Sequence, residues 1–210
     1  MVGPPLPPPV LSAEEPPTVR LRFATPADGP ACAAIYAPNV TDTCISFELT
    51  PPDGVEVGER IARTLGRMPW VVAEMDGVVR GYACAGRFRD RAAYAWTAET
   101  TVYVDRDFHG RGLGRATLRA VIATLRLQGF HSAVAGVTPP NPASVGLHEA
   151  LGYEGIGLLE EVGWKDGRWH GVEFFALELS PAEQAPVPIR SLDEIEGSGG
   201  LVRVLADALT

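Results

Sequence analysis

The sequence predicts one α/β domain of the α+β kind, and three observations carry that prediction. Strand-like and helix-like apolar runs follow one another in the order β-α-α-β-β-β-α-β-α-β-β between about residues 18 and 180. Two strand pairs are joined through Asp76-Gly77 and Asp166-Gly167, the dipeptide that a two-residue hairpin favours. Between a strand-like run, Thr101-Val102-Tyr103-Val104, and a helical stripe that begins at Leu113, three glycines stand at alternate positions, Gly110, Gly112 and Gly114. At 210 residues, 46% of them hydrophobic and 21% charged, the chain can bury one sizeable core.

Several function classes are excluded early. A formal net charge of −8 argues against nucleic acid or an anionic membrane surface as the partner. No apolar run approaches the roughly 20 residues of a spanning helix, and no basic region precedes an apolar block at the N-terminus. Cys32, Cys44 and Cys84 are scattered and form no C-x-x-C. Reduced thiols in a cytoplasmic protein are expected, with neither a disulfide framework nor a metal site.

Taken in order, residues 1–17 are too rich in proline for helix or sheet and predict a disordered leader, or else a ligand for a proline-binding module. A strand over 19–25 leads to Thr25-Pro26-Ala27-Asp28, an N-cap, a proline at the first helical position and an acid in the first turn. That helix runs through Tyr36. Residues 39–52 carry polar groups, prolines and an isolated Phe47, and predict a loop near a site. Val57, Ile61 and Leu65 place a second helix over 53–67. Trp70–Glu74 and Val78–Ala85 form the first hairpin. Arg87, Arg89 and Arg91 make a basic loop around Phe88, and Ala92–Val104 returns as a long strand. Leu118, Val121, Ile122 and Leu125 share one helix face, and Gly129 ends that helix. A strand over 132–138, a proline turn, a helix over 143–151 and a final strand pair complete the domain. Residues 181–210 predict an acidic, flexible tail with a short helix at 201–209, or an arm lying on a neighbour.

The glycine turn is where chemistry enters. Glycines let the backbone turn sharply and leave room for a ligand. The following helix directs its unpaired N–H groups and the positive end of its dipole at that ligand, which is the arrangement of a phosphate site. No Lys-Ser or Lys-Thr follows, so the turn is not a P-loop. Counting some ~20 residues onward reaches His131 and Ser132 without an acid, which speaks against a dinucleotide fold.

The run His109-Gly110-Arg111-Gly112-Leu113-Gly114 resembles the coenzyme A loop, [QR]-x-x-G-x-[GA], of the GCN5-related N-acetyltransferase superfamily. AYAWTAETTVYV (93–104), LHEALGY (147–153) and RWHGVEF (168–174) sharpen the resemblance to the phosphinothricin acetyltransferase family across 18–180. It implies a mixed, mainly antiparallel, twisted sheet flanked by helices, with acetyl-CoA as co-substrate. His109, Gly110, Arg111, Gly112, Leu113, Gly114 and Arg115 would hold the pyrophosphate. Backbone groups of Val102, Tyr103 and Val104 would meet the acetyl and pantetheine arm, and Asn141 and Ser144 would add contacts. Phe47, Arg89, Arg91, Tyr94 and Val172 match the acceptor positions. His109 departs from the usual glutamine or arginine, Arg89 stands where lysine is usual, and Ser46 where asparagine is common.

The reaction itself asks for a base, because a protonated amine has no lone pair with which to attack a thioester. Glu99 lies in an otherwise uncharged strand, where burial raises a carboxyl's pKa; the alternative is an outward-facing ion pair. The resemblance makes Glu99 the base and brings His148 to the coenzyme as a second acid–base group, against a helix-surface histidine. Cys84 has no activating base beside it and reads as core. The arginines, without the resemblance, are solvated surface. The expectation is direct transfer of acetyl, in a ternary complex, to the α-amine of phosphinothricin, methionine sulfoximine, methionine sulfone or a similar small glutamate-like amino acid. The family's usual pairing implies a homodimer, and its resistance and metabolic enzymes look alike. Two rivals remain: an acetyltransferase of the same fold for a protein N-terminus or unrelated amine, and a coenzyme-A-binding interaction protein without turnover.

Overall fold

The computed structural model describes residues 18–181, 185–197 and 199–210. The expected proline-rich leader over 1–17 lies outside the described residues. Seven strands form one sheet in the order β1-β2-β3-β4-β5-β7-β6. They are β1 (Val19–Phe23), β2 (Trp70–Met75), β3 (Val78–Arg87), β4 (Thr97–Val104), β5 (Ser132–Val137), β6 (Glu154–Lys165) and β7 (Arg168–Glu178). Every neighbouring pair is antiparallel except β4 and β5. The expected order of elements and the mainly antiparallel sheet are both present.

The two Asp-Gly turns do what such turns require. Asp76 and Gly77 take φ of 52° and 79°, and Asp166 and Gly167 take 51° and 75°, so both central residues are left-handed. One strand is shorter than expected. Residues Ala92–Tyr94 make a 3-10 turn, and β4 begins at Thr97. The reason is pairing: β3 ends at Arg87, opposite Ala98, so residues before Thr97 have no strand to pair with there.

Helices cover both faces. On one lie α1 (Gly29–Thr41) and α2 (Gly54–Leu65), over a core that includes Ile35, Val57, Ile61, Trp70 and Tyr82. On the other lies α3 (Leu113–Gln128), whose Leu118, Val121 and Leu125 are fully buried against the sheet. Each such side chain contributes roughly 1.5–3 kcal/mol by leaving water. The helix α4 (Pro142–Ala150) follows β5.

The C-terminal segment has the expected short helix, as α6 (Gly200–Asp207), but differs from a flexible tail in that it packs on the domain. It also carries α5 (Leu192–Glu196), and Leu192, Ile195 and Leu201 form a small buried cluster. Val204 and Ala208 join the main core beside α3. Its acidic residues outnumber its basic ones, but Leu201, Val204 and Ala208 fall on one helical side, and those decide the outcome.

Candidate active site

The sheet opens where its only parallel pair parts. Pairing of β4 with β5 covers Thr97, Ala98 and Glu99 and then stops. At the point of divergence the Thr100 hydroxyl lies 2.8 Å from that of Tyr153 and donates to the Val134 carbonyl at 3.3 Å. Beyond it, the β5-facing edge of Val102–Val104 is free of strand partners. A cleft of about 470 Å³ follows that edge to the glycine turn and the start of α3. Of the residues expected to contact a coenzyme, Val102, Tyr103, Val104, His109, Gly110, Gly112, Leu113, Gly114, Arg115, Asn141 and Ser144 all line it. Arg111 does not. Its guanidinium lies over the Phe108 ring at 4.9 Å and reaches toward Met75 Sδ.

The three glycines serve two purposes. Gly110 and Gly112 have φ of 74° and 80°, which a side chain at Cβ would disfavour. Gly114 instead allows close approach, because a Cβ there would come within 3.3 Å of Val104 and 3.5 Å of Leu147. His109 is accounted for by geometry rather than by charge. Its Nε2 donates to the Val104 carbonyl at 3.0 Å, tying the strand end to the turn. Asn141 accepts from the Ser144 amide at 3.2 Å, so it caps α4 while lining the cleft.

A second hollow, of about 450 Å³, lies on the face of β4 that looks toward α1 and α2, and Thr101 and Tyr103 border both. Glu99 lines it, half-buried and opposite Gly86. Burial pushes its carboxyl above the usual range, and the Arg89 charge pulls the other way more weakly. Among the described residues Glu99 has no ion-pair partner within 4.0 Å, so the surface-pair alternative is absent. The wall beyond is built from side chains. Tyr36 is within 2.5 Å of the Ser46 hydroxyl, and Arg60 pairs with Glu48 at 2.7 Å.

A profile of the acetyltransferase (GNAT) family matches residues 43–153, just over half of the chain. The chain belongs to the GNAT acetyltransferase family. It is 39% identical over 178 residues to a phosphinothricin N-acetyltransferase of Streptomyces viridochromogenes, covering 84% of this chain and 96% of that protein. It is also 39% identical over 171 residues to an L-methionine sulfoximine/L-methionine sulfone acetyltransferase of Pseudomonas aeruginosa, covering 79% and 98%. Among solved structures, a GNAT phosphinothricin acetyltransferase of Sinorhizobium meliloti in complex with acetyl-CoA superimposes with a TM-score of 0.77 at 34% identity, over 81% of this chain and 94% of that one.

Within this GNAT chain, His148 is placed differently from a surface histidine. It lines the cleft but is only 3% exposed, with its ring against Tyr153 and Phe175. Its Nδ1 lies 2.7 Å from the Ser144 carbonyl, which can only accept, so Nδ1 carries the proton. Burial holds the imidazole below its usual range, against a smaller opposite push from that carbonyl. The ring is therefore neutral with a lone pair on Nε2, and Nε2 has no hydrogen-bond partner among the described residues. In this state it can accept a proton but cannot give one to a departing thiolate.

The five expected acceptor residues line neither hollow. Phe47 packs against His170 and against Gly163, where a Cβ would collide with its ring. Val172 lies over Gly136, which lines the cleft. Arg89 stacks on Phe88 within electrostatic reach of Glu99, Arg91 is exposed, and Tyr94 faces a third cavity. Asn39, Ile45 and Thr138 line the cleft without having been expected there. The loop signal at 39–52 pointed to their neighbourhood without naming them. Cys84 borders the Glu99 hollow with its thiol pushed up to about 12 by burial, which leaves it protonated and unsuited to attack.

Proposed function

We propose that the chain is an acetyl-CoA-dependent N-acetyltransferase acting on the α-amine of phosphinothricin or a similar small glutamate-like amino acid, methionine sulfoximine and methionine sulfone included. One observation carries the reading: an unpaired, half-buried carboxylate on the strand that separates a glycine-turn cleft from a second hollow. The thioester supplies the acetyl group; the amine nitrogen bonds to its carbonyl carbon as the C–S bond breaks. Glu99 takes the amine's proton, directly or through a water, and its raised pKa makes it a stronger base than an ordinary glutamate. The amides of the turn and the first turn of α3 hold the pyrophosphate, with Arg115 beside them. The unpaired edge at Val102–Val104 suits the amide-bearing arm. His148 lines the same cleft, and its unpartnered Nε2 is the acceptor it can offer to a hydrogen bond or a proton. Arg89, close enough to act on Glu99 through its charge, is the group for the acceptor's acidic end.

Transfer is direct, in a ternary complex, and the enzyme works in the cytoplasm, where it serves resistance to amino-acid herbicides and antibiotics. It works as a homodimer. Ile156, Leu158, Leu159, Val162, Trp164 and Trp169 stand about half exposed or more on the β6–β7 hairpin at the sheet's end, which suits an interface between copies. Sedimentation of the protein at micromolar concentration tests this, and a monomer there ends it. Thiol release from acetyl-CoA with phosphinothricin and methionine sulfone tests the activity. Coenzyme binding without thiol release from any amine would overturn the enzyme reading.

A further inference from the structure

Beside the Glu99 hollow lies a cavity of about 460 Å³ that the proposed reaction does not use. Its apolar lining comes from Met68, Phe130 and Ile189, and four arginines, Arg63, Arg67, Arg87 and Arg190, also line it. The chain has 26 acidic residues against 18 basic ones, yet no carboxylate lines this cavity. Among the described residues, Arg67 and Arg190 have no carboxylate within 4.0 Å, although the Arg190 guanidinium donates to the Leu127 carbonyl, and Arg63 and Arg87 have only long pairs, at 3.5 and 3.6 Å, with exposed neighbours on their own segments. Four cations around an apolar hollow, not neutralised from inside, suit an anion carried on an apolar chain.

The cavity is held open by design of the chain rather than by a loose surface. One wall, Ile189 to Ser191, comes from the C-terminal segment. The fully buried Gln128 fixes it: its Nε2 donates to the carbonyls of Arg67 at 2.7 Å and Arg190 at 3.0 Å, and its backbone carbonyl accepts from the Arg190 amide at 2.9 Å. Trp96 Nε1 donates to the Val187 carbonyl at 2.7 Å just upstream. The cavity and the Glu99 hollow share Arg63, Thr64, Ala85 and Gly86. Gly86 stands opposite Glu99 in the sheet, and a Cβ there would meet nothing within 4 Å, so no side chain stands at that shared border.

We infer that this cavity extends the acceptor site and takes the distal carboxylate of an α-amino acid whose side chain is longer than that of glutamate. The inference rests on the proposed reading that the Glu99 hollow receives the acceptor's amine. A straight-chain acceptor would lay its methylenes over Met68 and Ile189 and present its terminal carboxylate to Arg67 and Arg190.

The test is a homologous series of acceptors, L-glutamate, L-2-aminoadipate, L-2-aminopimelate and L-2-aminosuberate, run beside phosphinothricin in the acetyl-CoA thiol-release assay. The wild-type kcat/KM should rise along the series. Arg67→Gln and Arg190→Gln should each lower it for 2-aminosuberate by about tenfold, mainly through KM, and leave phosphinothricin unchanged. Arg67 makes no side-chain bond that the fold depends on, so its variant stands if Arg190→Gln fails to fold. If phosphinothricin is acetylated but the long acids are no better than glutamate, or the variants treat them as the wild type does, the inference is overturned and the enzyme reading stands. If no acceptor releases thiol, the reading falls and the inference with it.

Discussion

The two sides of β4 are built from different materials. Along its β5-facing edge the cleft is made largely of backbone: a strand edge without a partner, two left-handed glycines, a third glycine that lets α3 approach, and a helix N-terminus. On the face toward α1 and α2 the hollow is made of side chains drawn from distant segments, Tyr36, Glu48, Arg60, Tyr82 and Glu99 among them. A backbone site tolerates exchange of most of its side chains but not of its glycines. A side-chain site behaves the other way, so single substitutions there can change which acceptor fits.

Substitutions can break or sharpen this contrast. The largest effect belongs to Glu99→Gln, which should lower kcat by about 10²–10⁴-fold and leave the affinity for acetyl-CoA nearly unchanged; near wild-type turnover would remove Glu99 as the base. On the proposed reading the same group sets the acid limb of the pH profile. As a base it would act only when ionised, and burial has raised its pKa, so activity should fall on acidification at a higher pH than an ordinary glutamate would give. That limb should vanish in the residual rate of Glu99→Gln.

Next comes Lys165, buried at the hairpin tip, whose Nζ donates to the carbonyls of Val40 at 2.6 Å and Ser46 at 2.8 Å. Lys165→Met leaves both carbonyls unpaired and should cost about 2 kcal/mol, a fall in Tm of roughly 4–8 °C by calorimetry. It tests whether the side-chain face depends on that distant anchor. Gly112→Ala forces a side chain into the left-handed region at a cost of about 1–2 kcal/mol, and should raise the KM for acetyl-CoA with kcat retained. The smallest change is His109→Ala, which removes one hydrogen bond worth about 0.5–1.5 kcal/mol. A several-fold rise in coenzyme KM is expected; no change would mean that the turn holds its shape without the Val104 tie.

What was legible in the sequence follows the same division. The glycine turn, the Asp-Gly hairpins and the strand carrying Glu99 are local patterns, and their backbone consequences appear where the patterns stand. The start of β4 was misjudged because it depends on where β3 ends, which composition at 92–96 does not reveal. The short helix near 201 is legible, but its packing on its own domain is not, because the prolines and glycines around it hide the spacing of Leu192, Ile195 and Leu201. The resemblance marks His148, but its burial and tautomer follow only from its Nδ1 bond to the Ser144 carbonyl and its contact with Phe175. Arg60 and Arg63 gave no signal, since what matters is the wall that α2 presents to β4, a relation between segments far apart in the chain.

The strand shared by both spaces has a kinetic meaning. On the proposed reading each reactant has its own doorway, one at the sheet's parting and one under α1 and α2, and only β4 stands between them. Neither blocks the other's path, so order of arrival is free. Initial-rate lines for the two substrates should intersect, and each product can depart by the way its parent came in.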